Sequence, residues 1–585
     1  MSEAGGALGR PASPGLSRWL LPVLVAFVLL AFLGTRGMNE PDEGRYSEIG
    51  REMAAGDSWL VPHLNGIEHL QKPPLIYWLT ALALKLCGQN EWGVRLPSAL
   101  AAAGTIWFTF LIGRTLFSRA VAVTAALVLV SGFEFFALAR TLTPDMTMTF
   151  WITAAILCFV RAAKSEGQGG RTWNWLFFVA MGGGFFTKGP MGFVVPLAAA
   201  LAWQWTARGT PQRVRLPWVP GLLVALAIGL WWFVVLSLQN PELRSYFVGD
   251  ELVKRFASKS HGRSKPPWFF LPVLLGGWLP WTCFLPAVLV TSWRRWKKPE
   301  RLHPWQALLL GWTVIPFVIL SLSGSKLLTY ILPLFPALAL ALAYWLHAHA
   351  ASKPALLGRR LAFWCLFLPP VALGVLNAVR PDLGLTYWVP LVLVALLFAL
   401  AVAIRRAPAG HEFNRLAIGA ALLWVALSTQ VDALNPLLSR QASVRELART
   451  ARAFSGTEGA YFVFEARACG FGFYLQRLIG ISRGEADIVL KPTAEQELRL
   501  LDSPADCMRL AAPGKPVCGL ILRDQLGNAF PTNEWSELGR SGHFVLIGRV
   551  SPLAAHSPNP IGQAIVGAGV AGLDAAAVTG STPKK

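Results

Sequence analysis

The chain has 585 residues, of which 54% are hydrophobic and only 15% charged, where a soluble domain carries about a quarter charged residues. With 25 Trp and 34 Phe, this composition excludes an ordinary soluble protein and points to a polytopic membrane protein. A formal charge of +21 would suit a nucleic-acid partner only if the cations formed a patch, so their distribution decides.

A membrane span needs roughly twenty mainly apolar residues. Thirteen stretches meet that need, near 18–35, 94–113, 120–139, 143–160, 173–187, 189–206, 217–237, 268–290, 304–322, 327–346, 361–378, 385–404 and 414–433. The first is read as a span because its apolar run is long and no small-residue cleavage site follows. The segment "PPLIYWLTALALKLCG" at 73–88 is shorter and interrupted by Lys85, and is expected to form an interfacial or re-entrant helix. The expected fold class is an all-α polytopic membrane protein of about thirteen transmembrane helices, residues 18–433, behind a cytoplasmic segment 1–17.

Lys and Arg in short loops orient such a bundle. With the N-terminus in the cytoplasm, the loops on that side hold clusters such as Arg114 and Arg119, or Arg208, Arg213 and Arg215. The same loops hold only four acids: Glu3, Glu166, Glu300 and Glu412. The basic charge therefore sets topology, and a nucleic-acid partner loses its motivation.

On the opposite side, loops 36–93 and 238–267 are long, and everything after residue 433 lies outside. From about 442 the acids and bases nearly balance. "SVRELARTARAF" has helical period, while "AYFVFE", "CGLILR" and "HFVLIGR" read as strands. A small C-terminal periplasmic α/β domain is expected over 434–550, followed by a disordered tail rich in Gly, Ala and Pro over 551–585. The seven cysteines show no CxxC spacing and no Cys/His cluster, which argues against a zinc site. Cys87, Cys158, Cys283 and Cys365 read as small core residues. Cys507 and Cys518 can bridge if their domain is extracytoplasmic, and the sequence leaves that open.

The outer face collects the chemistry. "NEPDEGRYSEIGREM", residues 39–53, carries Glu40, Asp42, Glu43, Arg45, Glu48, Arg51 and Glu52 directly after the first span. Arg45, Tyr46, Ile49 and Met53 have helical spacing, so an amphipathic helix lying on the membrane is expected, with a site at its N-terminal end. Lys72 lies in the same loop. Asp145, in "RTLTPDMTM", stands at the outer start of the fourth span, where a helix N-cap is an equally good reading. Lys188 in "FFTKGP", and Lys326 and Tyr330 in "SGSKLLTYILP", reach the same side. "DELVKRFASKSHGRSKPPWFF" adds Lys254, Arg255, Lys259, His261, Arg263 and Lys265.

Cations outside run against the positive-inside trend, and a phosphate at headgroup level would explain them. Contact with the anionic headgroups of membrane lipids is the plainer account of any single one. Carboxylates among phosphate-binding cations suit displacement at a sugar carbon with phosphate leaving.

"PDEGRYSEIGREM", "WLVPHLNGIEHLQKPPLIYW", "FFTKGP" and "SGSKLLTYILPLFP" resemble the aminoarabinose transferases of Gram-negative bacteria. These belong to the protein O-mannosyltransferase-like glycosyltransferases of GT-C fold. The resemblance runs from the first span to about residue 340. It implies an inner-membrane enzyme that takes 4-amino-4-deoxy-L-arabinose from undecaprenyl phosphate and delivers it to a lipid A phosphate, or to another periplasmic acceptor. Asp42 then matches the catalytic carboxylate and Asp145 the second acidic position. Glu43, Arg45, Lys72, Lys188, Arg255, His261, Arg263, Lys326 and Tyr330 match binding positions for the carrier phosphate or substrate.

No cofactor is implied, and a divalent cation bridging Asp42 and Asp145 stays open. Two departures concern the sugar more than the fold: Gln71 precedes the KPP lysine where the family often has Glu, and "SGSKLLTY" replaces a pattern nearer "SKGKLPTY". A multi-pass transporter is the rival of a different class. Its charges would sit near the bilayer midplane, whereas here they gather at one interface. Glu134 is the exception, inside the third span but near its outer end. A protein hydroxyl is the rival acceptor and would need Asp42 as a general base.

Overall fold

The computed structural model describes residues 19–247, 265–296 and 302–549, apart from 57, 166, 387, 409–410, 438–441, 457, 487–491 and 513. All thirteen apolar stretches contain helix. The first ten helices are α1 (Leu20–Leu30), α2 (Asp42–Ala55), α3 (Leu75–Cys87), α4 (Glu91–Leu116), α5 (Arg119–Ser131), α6 (Phe133–Ala139), α7 (Pro144–Lys164), α8 (Gly167–Lys188), α9 (Met191–Thr206) and α10 (Trp218–Gln239). Caps set several starts: Asn90 accepts from the Gly93 N–H ahead of α4, and Ser118 from the Val121 N–H ahead of α5.

Among the described residues, seven helices are long and apolar enough to cross a membrane, or nine if each bent pair is one span. Two stretches read as single spans, 120–139 and 268–290, are broken. α5 and α6 meet at 70° around Gly132, and Pro267–Gly277 meets Trp281–Trp293 at 102° across a break that contains Pro280. Helix α1 has 11 residues, about 16 Å of rise, and reaches only part of the way across a hydrocarbon core.

Small residues let the helices approach closely. A Cβ on Gly192 of α9 would stand 2.3 Å from the Gly184 carbonyl carbon of α8. One on Gly113 of α4 would stand 3.0 Å from Ala122 Cα of α5. The opposite face of α10 leaves Val219, Leu223, Val234 and Leu238 exposed, an apolar surface suited to lipid.

Helix α2 departs from the expectation of a surface helix. Glu43, Gly44, Tyr46, Ser47, Glu48, Ile49, Gly50, Arg51 and Met53 are all buried, because it packs between α3 and the C-terminal helix Gly470–Leu475. Such burial is tolerable because its charges find partners. Glu48 binds Arg51 through two bonds of 2.6 and 2.7 Å. Glu52 accepts from the N–H groups of Asn65 and Gly66, in the turn joining β1 (His63–Leu64) to β2 (Ile67–Glu68).

The C-terminal region is an α/β unit. Its strands are β3 (Ala460–Val463), β4 (Gly480–Ser482), β5 (Leu500–Leu501), β6 (Val517–Leu522), β7 (Ser536–Ser541) and β8 (Phe544–Arg549). They form one sheet in the order β5-β4-β3-β6-β8-β7. β5, β4, β3 and β6 are parallel, while β8 and β7 add antiparallel. The helix read in the sequence is Arg445–Ser455.

Cys507 and Cys518 are free. They lie on opposite faces of the sheet, Cys518 with Tyr461 and Val463, Cys507 with Phe462 and Phe464. A bridge between them is excluded by the strand alternation that separates the faces.

Near the ends of the parallel strands, burial and the Glu465 charge push the Glu485 carboxyl up to about 7, against the Arg467 N–H and the Arg467 charge. The folded unit therefore holds this proton more tightly than the unfolded chain, and stability rises as pH falls from about 7 toward the ordinary carboxylate range. Hydrogen exchange of β3 and β4 in the intact protein should show more protection at pH 5 than at pH 8. Glu485→Gln should remove most of that difference; an unchanged difference in the variant would assign it to another group.

Candidate active site

Two cavities open between the helices on the side that carries the C-terminal unit. The smaller, about 280 Å³, is walled by Met148, Phe185, Leu230, Phe233, Ile319 and Leu320. Its polar residues include Lys72, Asp145, Lys188 and Tyr330. Asp145 does not cap its own helix: Thr143 occupies the N-cap of α7 and Pro144 the first turn. Instead, Asp145 Oδ1 accepts from Lys188 Nζ at 2.5 Å, with the two side chains 3% and 14% exposed. The same ammonium lies 4.7 Å from the centre of the Tyr330 ring. Proline-bounded starts and glycine-rich turns at 144 and 189 thus bring α7, α8 and the segment Leu328–Leu334 to one point.

The larger cavity, about 1200 Å³, is lined by Asn39, Asp42, Glu134, Arg140 and Thr143, with a mainly apolar wall that includes Val273, Leu373 and Leu427. Asp42 opens α2, its side chain 46% exposed and paired only with Arg45 Nη2 at 2.6 Å. Tyr46, four residues on in α2, is buried, its ring 5.8 Å from that of Tyr77. Burial pushes its phenol up; Arg45 and Lys188 oppose that shift, and Asp42 and Asp145 add to it. Both ion pairs therefore act on one hydroxyl.

Glu43, matched in the sequence to a substrate-binding position, is held in a buried anchor whose partners Arg36 and Arg95 sequence reading missed. Glu43 takes Arg36 Nη1 at 2.9 Å and Arg95 Nε at 2.8 Å, and its oxygens also accept from the N–H groups of Asn39 and Leu142. Burial alone would raise this carboxyl, but Arg36 and Arg95 outweigh it and hold it well below the usual carboxylate range. Both oxygens are thus committed inside the protein. Arg36 follows the first apolar stretch and Arg95 opens the second, and neither is among the candidate site residues read from the sequence.

Another missed residue is Glu40. Its Oε1 accepts from the Gly470 N–H at 2.9 Å while Oε2 has no partner, and burial pushes its carboxyl well above the usual range. It ties the start of α2 to the C-terminal unit. Arg445 adds a second tie through Asp432 and Glu91.

Lys326 does not line either cavity. It is 5% exposed and donates to the carbonyls of Ser323 at 2.5 Å and Lys265 at 3.1 Å, which braces the turn bearing Tyr330. Arg255, His261 and Arg263 lie outside the described residues. For a divalent ion, Asp42 and Asp145 already carry cationic partners and line different cavities. Among the described residues, no three His, Cys, Asp or Glu side chains gather to hold one.

Comparison with known proteins agrees with this layout. The family model of dolichyl-phosphate-mannose-protein mannosyltransferase matches residues 71–233. An undecaprenyl phosphate-alpha-4-amino-4-deoxy-L-arabinose arabinosyl transferase of Pseudomonas fluorescens strain Pf0-1 is 32% identical over 433 residues, 72% of either chain. The corresponding transferase of Aeromonas hydrophila is 33% identical over 56% of this chain, and the match spans only 59% of that relative's length. Among solved structures, ArnT from Cupriavidus metallidurans bound to undecaprenyl phosphate superposes with a TM-score of 0.77. That match has 24% identity and covers 92% of this chain and 98% of the other, a likeness of fold.

Proposed function

Because this chain belongs to the undecaprenyl phosphate-4-amino-4-deoxy-L-arabinose arabinosyl transferase family, we propose that it moves that aminopentose from undecaprenyl phosphate to a phosphate of lipid A. The observation that carries the reading is the pair of cavities, one lined by Asp42, which pairs with Arg45, and the other by Asp145, which pairs with Lys188. The smaller, mostly apolar cavity suits the polyprenyl carrier, with Lys72 and Lys188 at its phosphate. Arg255, His261 and Arg263 are assigned to the same phosphate. The larger cavity suits the acceptor lipid.

In the reaction, the bond between the anomeric carbon and the carrier phosphate oxygen breaks and its electron pair leaves on that phosphate. The cations stabilise the charge that develops there. The acceptor oxygen bonds to the same carbon from the side of Asp42. Asp42, aligned by Arg45, orients the acceptor and takes its proton if the acceptor phosphate is protonated. Glu43 and Lys326 hold the frame, and Tyr330 packs against the Lys188 ammonium.

All thirteen apolar stretches are taken to cross the inner membrane, the first with the turn residues 31–35 continuing the short helix α1. The N-terminus is then cytoplasmic and the 434–550 unit periplasmic, on the same side as Asp42.

Proteoliposomes holding the purified protein, supplied with the carrier-linked aminopentose and lipid A, should yield lipid A heavier by one aminopentose. Donor consumption without that product, or with a glycosylated protein instead, would overturn the acceptor assignment. Lys72→Ala should raise the donor KM about tenfold or more while leaving the melting temperature in place; an unchanged KM would remove Lys72 from the carrier site.

A further inference from the structure

The remaining carboxylate of the larger cavity is Glu134. It sits on α6 just past the 70° bend, 8% exposed, and neither of its oxygens has a hydrogen-bond partner. The other described carboxylates on this cavity are engaged: Asp42 with Arg45, Glu43 with Arg36 and Arg95, and Glu40 with the Gly470 N–H. The cavity's arginines are also occupied. Arg140 donates to the carbonyls of Val28, Leu29 and Ala31, and Arg36 to Glu43, Thr141 and the Arg140 carbonyl.

Space is kept for the Glu134 group, since a Cβ on Gly277 would stand 2.1 Å from its Oε2. Thr143 lines the same cavity, 8% exposed, and its hydroxyl also lacks a partner. An ionisable group buried in a membrane protein without a counter-charge is costly to keep charged, and such groups mark functional sites.

We infer that Glu134 and Thr143 form the subsite for the transferred sugar, with Glu134 pairing the protonated amine of a cationic aminosugar and Thr143 bonding a hydroxyl. The inference rests on the donor reading above and adds the determinant of sugar choice. An anionic acceptor phosphate would be repelled by this carboxylate, whereas the amine of the donor sugar supplies the charge it lacks. Thr143 stands two residues before Asp145 at the start of α7, and Asp145 lines the carrier cavity, so the subsite borders that cavity. Glu134 binds and selects; it takes no part in bond making.

The test compares two donors, the carrier-linked aminopentose and its N-acetylated, uncharged form, with the full-length protein in proteoliposomes. Wild type should prefer the amine by about 10- to 100-fold in kcat/KM, mostly through KM. Glu134→Gln should lose that preference by falling on the amine donor, with the acetylated donor within about twofold of wild type. Glu134→Asp, which keeps the charge, should retain part of the preference. Equal loss on both donors, or a preserved preference in Glu134→Gln, would overturn the subsite. A folded wild type that transfers neither donor would overturn the donor reading itself.

Discussion

Asp42→Asn is expected to fold like the wild type and to transfer no measurable sugar. The side chain is 46% exposed and makes one ion pair, with Arg45. An exposed pair at a helix start contributes no more than about 1 kcal/mol. The amide keeps the size and the hydrogen-bonding oxygen but cannot accept a proton or carry the charge that aligns Arg45. Loss of a positioned acid–base or orienting group of this kind lowers rate by about 10²- to 10⁴-fold. Product formation by mass spectrometry, beside a melting curve and a size-exclusion profile, separates the two effects. An active Asp42→Asn would remove this carboxylate from the chemistry.

Glu43→Ala, one residue on, is expected to have the opposite signature. It leaves Arg36 and Arg95 facing one another without their shared counter-charge, and Arg95 is 0% exposed. Removing one partner of a buried ion pair costs about 3–5 kcal/mol. That is a large share of the 5–15 kcal/mol, roughly, that holds a typical domain together. The same carboxylate fixes the N–H groups of Asn39 and Leu142, so the link between α2 and the start of α7 is lost as well. The variant should express poorly, elute as aggregate and melt far below wild type. Glu43→Gln, which keeps some acceptors, should fall between. A monodisperse Glu43→Ala with an unshifted melting temperature would contradict the anchor and reopen Glu43 as a substrate ligand.

This contrast also marks what the sequence could carry. Apolar length located helix in each of the thirteen stretches, because a run of lipid-facing residues is a one-dimensional signal. It could not show the 70° and 102° bends, which depend on how Gly132 and the 278–280 segment pack. The charged stretch 39–53 was legible as a helix with Asp42 at its start. Its charges read as solvated, because the partners that bury them lie far along the chain. Arg95 is 52 residues from Glu43, and Gly470 is 430 from Glu40.

Close approach adds to this. A Cβ on Gly44 would stand 2.5 Å from the Gly470 nitrogen, a contact that only the folded chain reveals. Asp145 shows the same limit in reverse, since its local Thr-Pro context left a cap and a site equally open, while the long-range partner Lys188 claims it. Function was legible chiefly through resemblance to a family. The residues alone reached a phosphate beside carboxylates at one membrane face.

The most direct measurement is mass spectrometry of lipid A from a Gram-negative strain that lacks its own aminoarabinose transferase and carries either this protein or its Asp42→Asn form. The account predicts an aminopentose on a lipid A phosphate in cells with the wild-type protein and none with the variant. Unmodified lipid A from cells whose membranes contain folded wild-type protein would contradict it and direct the search to another carrier sugar or acceptor.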